Sequence, residues 1–174
     1  MPAMNNPNLP APAASAPSGA ETLEYEMIEL LFFAYRDFVG DADRVLERYG
    51  FGRAHHRVLH FVNRNPGLMI AALLDILKIT KQSLARVLKE LVQAEFIEVR
   101  SGADDRRQRL LFAAPKGLAL AHELAALQSQ RISRALDAAG PNSRAAAERF
   151  LLHLIDPAVR RDWKRLGSKP GAHA

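Results

Sequence analysis

Residues 67–113 change hydrophobic period within a short span, and that order of periods admits few folds. Leu84, Val87, Leu88, Leu91 and Val92 recur at i, i+3, i+4, i+7 and i+8, which gives one apolar face to a helix over about 81–94. Thr80 stands where an N-cap belongs. A shorter helical stretch, about 68–76, comes before it, and Lys78-Ile79-Thr80 leaves room only for a tight turn between the two. Beyond the second helix, Phe96-Ile97-Glu98-Val99 and Arg109-Leu110-Leu111-Phe112 read as short strands, parted by the turn cluster Ser101-Gly102-Ala103-Asp104-Asp105. Helix, turn, helix and hairpin in that order make a winged helix-turn-helix.

The face of the second helix opposite its apolar stripe carries Lys81, Gln82, Ala85, Arg86 and Lys89. A major groove about 12 Å wide admits one α-helix, and short residues near the helix start, Ser83 among them, allow close approach to base edges. Gln82 can pair with adenine N6 and N7, and Arg86 with guanine O6 and N7. Lys81, Lys89 and the Thr80 hydroxyl suit phosphates. The hairpin adds Arg106, Arg107 and Arg109 beside its turn. An arginine at a loop tip can enter the minor groove, where the potential is most negative, and Asp105 would pair with a nearby arginine and fix the hairpin's shape. The competing readings are a solvated basic helix face and a polar turn whose salt bridge is worth under about 1 kcal/mol.

Charge is segregated along the chain. Residues 21–50 hold eight acids against three bases, whereas 78–116 hold nine bases against five acids and 131–174 nine against four. A segregated basic region is the electrostatic footprint of a polyanion partner. The 174 residues contain no cysteine, which excludes disulfides, thiolate metal sites, cysteine nucleophiles and thiol redox sensing, and fits a cytoplasmic setting. No apolar run is long enough to span a bilayer, so no membrane partner is expected. No Gly-rich phosphate loop, Gly-x-Ser-x-Gly elbow or metal-hydrolase motif is present, so neither catalysis nor a cofactor is expected.

Five of the ten prolines and no ionisable side chain fall in 1–20, which reads as a flexible Pro/Ala-rich arm. Residues 21–52 form a first helix and linker. The helix covers about 21–39 on the spacing of Leu23, Met27, Leu30, Leu31, Ala34 and Phe38, with Gly40 as its stop. Residues 53–114 form the winged lobe, opening with a helix over about 53–64. Residues 115–168 hold further helices at about 116–138, 143–155 and from Pro157 to about 166, and 169–174 are a flexible tail. The expected fold is mainly α with a small two-stranded β wing, a winged helix-turn-helix domain joined to a helical dimerisation region.

At this point the stretch RNPGLMIAALLDILKITKQSLARVLKELVQAEFIEVRSGADDRRQRLLFAAPKG resembles the MarR family of transcription regulators, closely across about 53–117 and loosely across about 21–165. The family's wing is built on Asp-x-Arg, here Asp105-Arg106-Arg107. The resemblance implies that Arg107 is the minor-groove arginine with Asp105 as its orienting partner, and that Arg86 is the basic reader of the recognition helix. It also implies an obligate homodimer on a pseudo-palindromic operator. Leu120, Leu124, Leu127, Leu151, Leu154 and Trp163 are expected in or near the helical base of that dimer. Independently, two readers need half-sites about 34–36 Å apart, which a dimer supplies. The chain departs from the pattern at Glu95, where the family usually has Gly, and at Ala113-Ala114, where it usually has Leu-Thr.

Many relatives respond to small phenolic or other anionic ligands, so the resemblance implies a small aromatic or anionic ligand. The candidate lining is Tyr35, Arg36 and Phe38 from the first helix and His55, His56 and His60 from the second. Tyr35 and Phe38 fit a hydrophobic core equally well. The i, i+4 pair His56 and His60 can chelate zinc but lacks a third ligand in the sequence, so no metal is expected. Two other functions stay open: a winged-helix module that binds protein partners, and a nonspecific architectural DNA binder. A protein-binding module has no need of a basic wing.

Overall fold

The computed structural model describes residues 23–102 and 105–167. The arm over 1–20, the tail over 169–174, and Ala103 and Asp104 of the turn cluster lie outside the described residues. Seven helices and three strands are present among those described: α1 (Tyr25–Glu47), α2 (Arg53–Arg64), β1 (Leu68–Met69), α3 (Ile70–Leu77), α4 (Lys81–Gln93), β2 (Ile97–Ser101), β3 (Arg109–Ala113), α5 (Pro115–Ala138), α6 (Ser143–Leu154) and α7 (Pro157–Gly167).

One core holds the winged lobe together. Val58, Leu59 and Val62 of α2, Leu73 and Leu77 of α3, and Leu84, Val87, Leu88 and Leu91 of α4 meet Phe96, Ile97 and Leu111 of the sheet. The last turns of α1, through Ala42 and Leu46, and the first turns of α5, through Leu120 and Leu124, enter the same cluster. Leu120 and Leu124, expected at a dimer base, are therefore buried by their own chain. Val92 was placed on the apolar face of α4 but is 39% exposed, because the stripe rotates off the core as the helix ends.

Two other expectations change. Gly40 does not stop the first helix. A mid-helix glycine costs about 1 kcal/mol, and burial of Val39, Ala42 and Leu46 carries α1 on to Glu47. The β2–β3 hairpin forms as the two-stranded wing, but its sheet gains a third strand. Leu68 and Met69 pair antiparallel with Leu111 and Leu110, giving the order β1-β3-β2. A two-residue strand is too short to carry a period, which is why the residues read as helix.

The C-terminus of α4 explains the departure at Glu95. Phe96 N–H donates to Leu91 O at 2.8 Å and Glu95 N–H to Val92 O at 3.1 Å, the paired bonds of a Schellman motif. That motif puts its C′ residue in the left-handed region, and Glu95 has φ 64°. Glycine adopts this conformation without the Cβ penalty of about 1–2 kcal/mol. Lys116 Nζ–H donates to Ala94 O at 3.0 Å and lies over the Phe96 ring, so α5 itself caps α4. Ala114 offers α5 no side-chain cap, and Pro115 occupies its first turn. Gly117 packs so tightly there that a Cβ would stand 2.0 Å from the Phe96 carbonyl oxygen.

Candidate nucleic-acid interface and adjoining cavity

Thr80 caps α4 as its position suggests: its Oγ1 accepts the Ser83 amide at 3.1 Å and its hydroxyl meets Ser83 Oγ at 2.9 Å. With Leu84, Val87, Leu88 and Leu91 buried, helical geometry turns Lys81, Gln82, Ser83, Ala85, Arg86 and Lys89 to solvent together. Arg86 Nε lies 3.3 Å from Glu90 Oε1. Thr80 is exposed beside them.

In the wing, Arg106, Arg107 and Arg109 are all exposed. Among the described residues no carboxylate pairs with Arg106 or Arg107. The sequence leads one to expect Asp105 to pair with a nearby arginine, but among the described residues its carboxylate meets no guanidinium. Its Oδ1 accepts the Arg107 backbone N–H at 2.9 Å, a short Asx-type turn. The carboxylate thus shapes the loop through the Arg107 backbone rather than through its side chain. Gln108 N–H to Asp105 O at 3.0 Å and Gly102 N–H to Gln108 O at 3.1 Å close the hairpin beneath it.

A cavity of about 290 Å³ lies between α1, α2 and α5. Tyr35, Phe38 and Val39 form one wall, Arg53, His56, Arg57, His60 and Phe61 the other, and Gln128 closes it from α5. The structure therefore brings together Tyr35, Phe38, His56 and His60 but not Arg36 or His55. Arg36 turns outward to Asp37 and the Phe33 ring. His55 falls on the other face of α2, since positions 55, 58, 59 and 62 point into the core while 53, 56, 57 and 60 point to the cavity. That second spacing was legible in the sequence and would have added Arg53 and Arg57. Phe61 and Gln128 carried no such signal.

Burial, and then the neighbouring His60, hold the His56 imidazole below its usual range. His60 is lowered too, by desolvation against the neighbouring helices and then by Arg64, although its outer edge is exposed. Arg53 Nε donates to Asp43 at 2.9 Å, tying α2 back to α1. Arg131 on α5 bonds Asp41 through Nε at 2.9 Å and Nη2 at 2.7 Å, and this guanidinium holds the Asp41 carboxyl below the usual carboxylate range. Among the described residues no three His, Cys, Asp or Glu side chains gather to hold a metal, and no helix is long and apolar enough to cross a membrane.

An amphipathic helix seated in a helix-turn-helix, its polar face basic and an arginine wing alongside, defines a winged helix-turn-helix protein. The MarR family profile matches residues 49–108. The chain is 45% identical over 139 residues to the HTH-type transcriptional regulator PetP of Rhodobacter capsulatus, covering 80% of this chain and 84% of that protein. Its fold matches the transcriptional regulator SlyA with TM-score 0.65 and 17% identity, over 81% of this chain and 99% of that one. It also matches Streptococcus pneumoniae FabT, solved in complex with DNA, with TM-score 0.66 and 17% identity over 75% of this chain and 94% of that one. The chain belongs to the MarR family and is a transcriptional regulator, not an enzyme.

Proposed function

We propose that the chain acts as a homodimer that reads a pseudo-palindromic operator and is tuned by a small aromatic or anionic ligand. The reading is carried by the exposed face of α4, where Lys81, Gln82, Ser83, Arg86 and Lys89 stand together opposite the buried Leu84, Val87, Leu88 and Leu91. A helix so presented can enter a major groove, with Gln82 and Arg86 on base edges and Lys81, Lys89 and Thr80 on phosphates. Arg107, with Arg106 and Arg109 beside it, reaches the adjoining minor groove from the wing. FabT, a structural neighbour, is itself a DNA-bound protein.

Dimerisation draws support from apolar side chains left exposed on α1, α6 and α7. Phe32 is 69% exposed on α1, Leu151 and Leu154 are each 54% exposed on α6, and Trp163 on α7 is 55% exposed. A second copy covering these residues would take their exposed apolar surface out of water. The cavity supports ligand binding: aromatic walls with Arg57 and His56 at one side suit an aromatic carboxylate.

The test is fluorescence anisotropy with the gene's own upstream duplex and a scrambled duplex of equal length, between about 50 and 200 mM salt. A preference approaching about 10³-fold for the native duplex is expected of a specific reader. Equal, steeply salt-dependent binding would instead favour the architectural binder, and no binding to either the protein-interaction module. Adding benzoate as an aromatic-carboxylate probe is expected to lower affinity for the native duplex.

A further inference from the structure

Glu90 is the one acid on α4, a helix otherwise presenting bases, and it sits one turn from the candidate base reader Arg86. A carboxylate near the polar face of such a helix repels phosphates, so its presence there calls for an account. Its two oxygens have different partners. Oε1 lies 3.3 Å from Arg86 Nε, and Oε2 lies 2.6 Å from His55 Nε2. His55 is only 6% exposed, stacked on Phe51 with ring centroids 4.7 Å apart. The Gly52 N–H donates to His55 Nδ1 at 3.1 Å, so Nδ1 is the acceptor and Nε2–H is the donor to Glu90. The imidazole is thus fixed in position by stacking and in tautomer by the backbone.

An exposed Arg–Glu pair one turn apart is ordinarily weak, because both side chains must surrender freedom to meet. Here the carboxylate is already immobilised from behind by a buried donor. Arg86 therefore faces a fixed counter-charge, and much of the ordering that a two-point contact with a guanine edge requires is done before DNA arrives.

We propose that Glu90 is a specificity-determining positioning residue, which aims Arg86 at a base edge and withholds it from phosphates, and that His55 anchors Glu90 to α2. The proposal rests on the reading of α4 as the DNA-contacting helix. It assigns to His55, which does not line the cavity, a role from the core side of the same helix that carries His56. Arg86 without Glu90 becomes a free cation, and a free cation on this face binds any sequence.

The test uses the full-length protein and a duplex enriched by the wild-type protein from random sequence, with a scrambled duplex as control. Glu90→Gln is expected to tighten binding to the scrambled duplex and to cut the selected-to-scrambled affinity ratio by about fivefold to tenfold. It is also expected to steepen the salt dependence by about one counterion. His55→Phe, which keeps the ring stack but cannot donate, is expected to reproduce both changes; should it not fold, Glu90→Gln alone decides. In an Arg86→Ala background Glu90→Gln is expected to leave the ratio unchanged, an outcome a merely structural role for Glu90 would not give. A wild-type ratio and salt slope in folded Glu90→Gln, or the same fold-change with and without Arg86, overturns the proposal. Failure of the wild-type protein to enrich any sequence overturns the DNA-reading role of α4 itself, and this inference with it.

Discussion

Helices α4 and α6 are both amphipathic and nearly equal in length, yet their apolar faces meet opposite fates. In α4, Leu84, Val87, Leu88 and Leu91 are all at most 7% exposed. In α6 no residue is buried, and Leu151 and Leu154 each remain more than half exposed. The winged lobe closes on itself, because the apolar side of α4 joins α2, α3 and the sheet in one core. The outer helices have an apolar stripe that the other described residues leave largely exposed. An apolar stripe records that a surface must be buried, not which molecule buries it.

Breaking the proposed cover over α6 has the largest expected effect. Leu151→Glu places a charge in that surface and is expected to halve the mass seen by light scattering. Duplex affinity is expected to fall by about 10²–10⁴-fold, since two linked reading heads become two separate ones. A mutant that keeps the wild-type mass would show that α6 does not face a second copy.

The stripe of α4 behaves differently. Leu84→Ala empties a fully enclosed site and is expected to cost about 2–5 kcal/mol, by an amount independent of protein concentration. Leu154→Ala is expected to lower the melting temperature by an amount that depends on concentration, because its burial depends on association. Melting both variants over a hundredfold range of concentration decides whether the two helices differ in this way.

Arg107→Ala tests the polar side of the lobe. Anisotropy is expected to show a loss of about 1–3 kcal/mol on the preferred duplex, while the melting temperature stays put, since the exposed side chain has no carboxylate partner among the described residues. Glu95→Gly is expected to raise stability by up to about 1 kcal/mol in thermal melts, as relief of the left-handed strain outweighs the freedom gained by the unfolded chain.

The smallest effect concerns His56, on the cavity between the two regions. Burial lowers its folded pKa, so the unfolded chain takes up a proton first as pH falls. The contribution of His56 to stability is therefore complete above the unfolded value of about 6.5 and shrinks as pH drops below it. Melts between about pH 5 and 7.5 are expected to show a shallower slope for His56→Gln than for the wild type.

Most of the winged lobe could be read from spacing because its helices obey a strict period and its turns are marked by Thr80, Gly102 and Pro115. Where reading failed, a distant contact outweighed a local signal. Gly40 looks like a stop only until Ala42 and Leu46 are seen to be buried beyond it. His55 looks like a cavity residue beside His56, yet its partner Glu90 lies 35 positions away. Leu120 and Leu124 recur at helical spacing as Leu151 and Leu154 do, and nothing in that period says that only the first pair packs inward. The basic face of α4 was legible residue by residue. The acid that organises it was not, since one Glu among bases has no signature until its neighbours are in place.

The close approach of Gly117 to Phe96 bears on how motion is transmitted. A 24-residue helix is about 36 Å long, and α5 starts against the carbonyl of the residue that ends the α4 cap. With no side chain between them, the two backbones have no cushion to absorb a displacement. A tilt of about 5° in α5 shifts its far end by about 3 Å over that length. The helix is thus a lever whose fulcrum is a missing methyl group, and any side chain at position 117 would have to move that fulcrum.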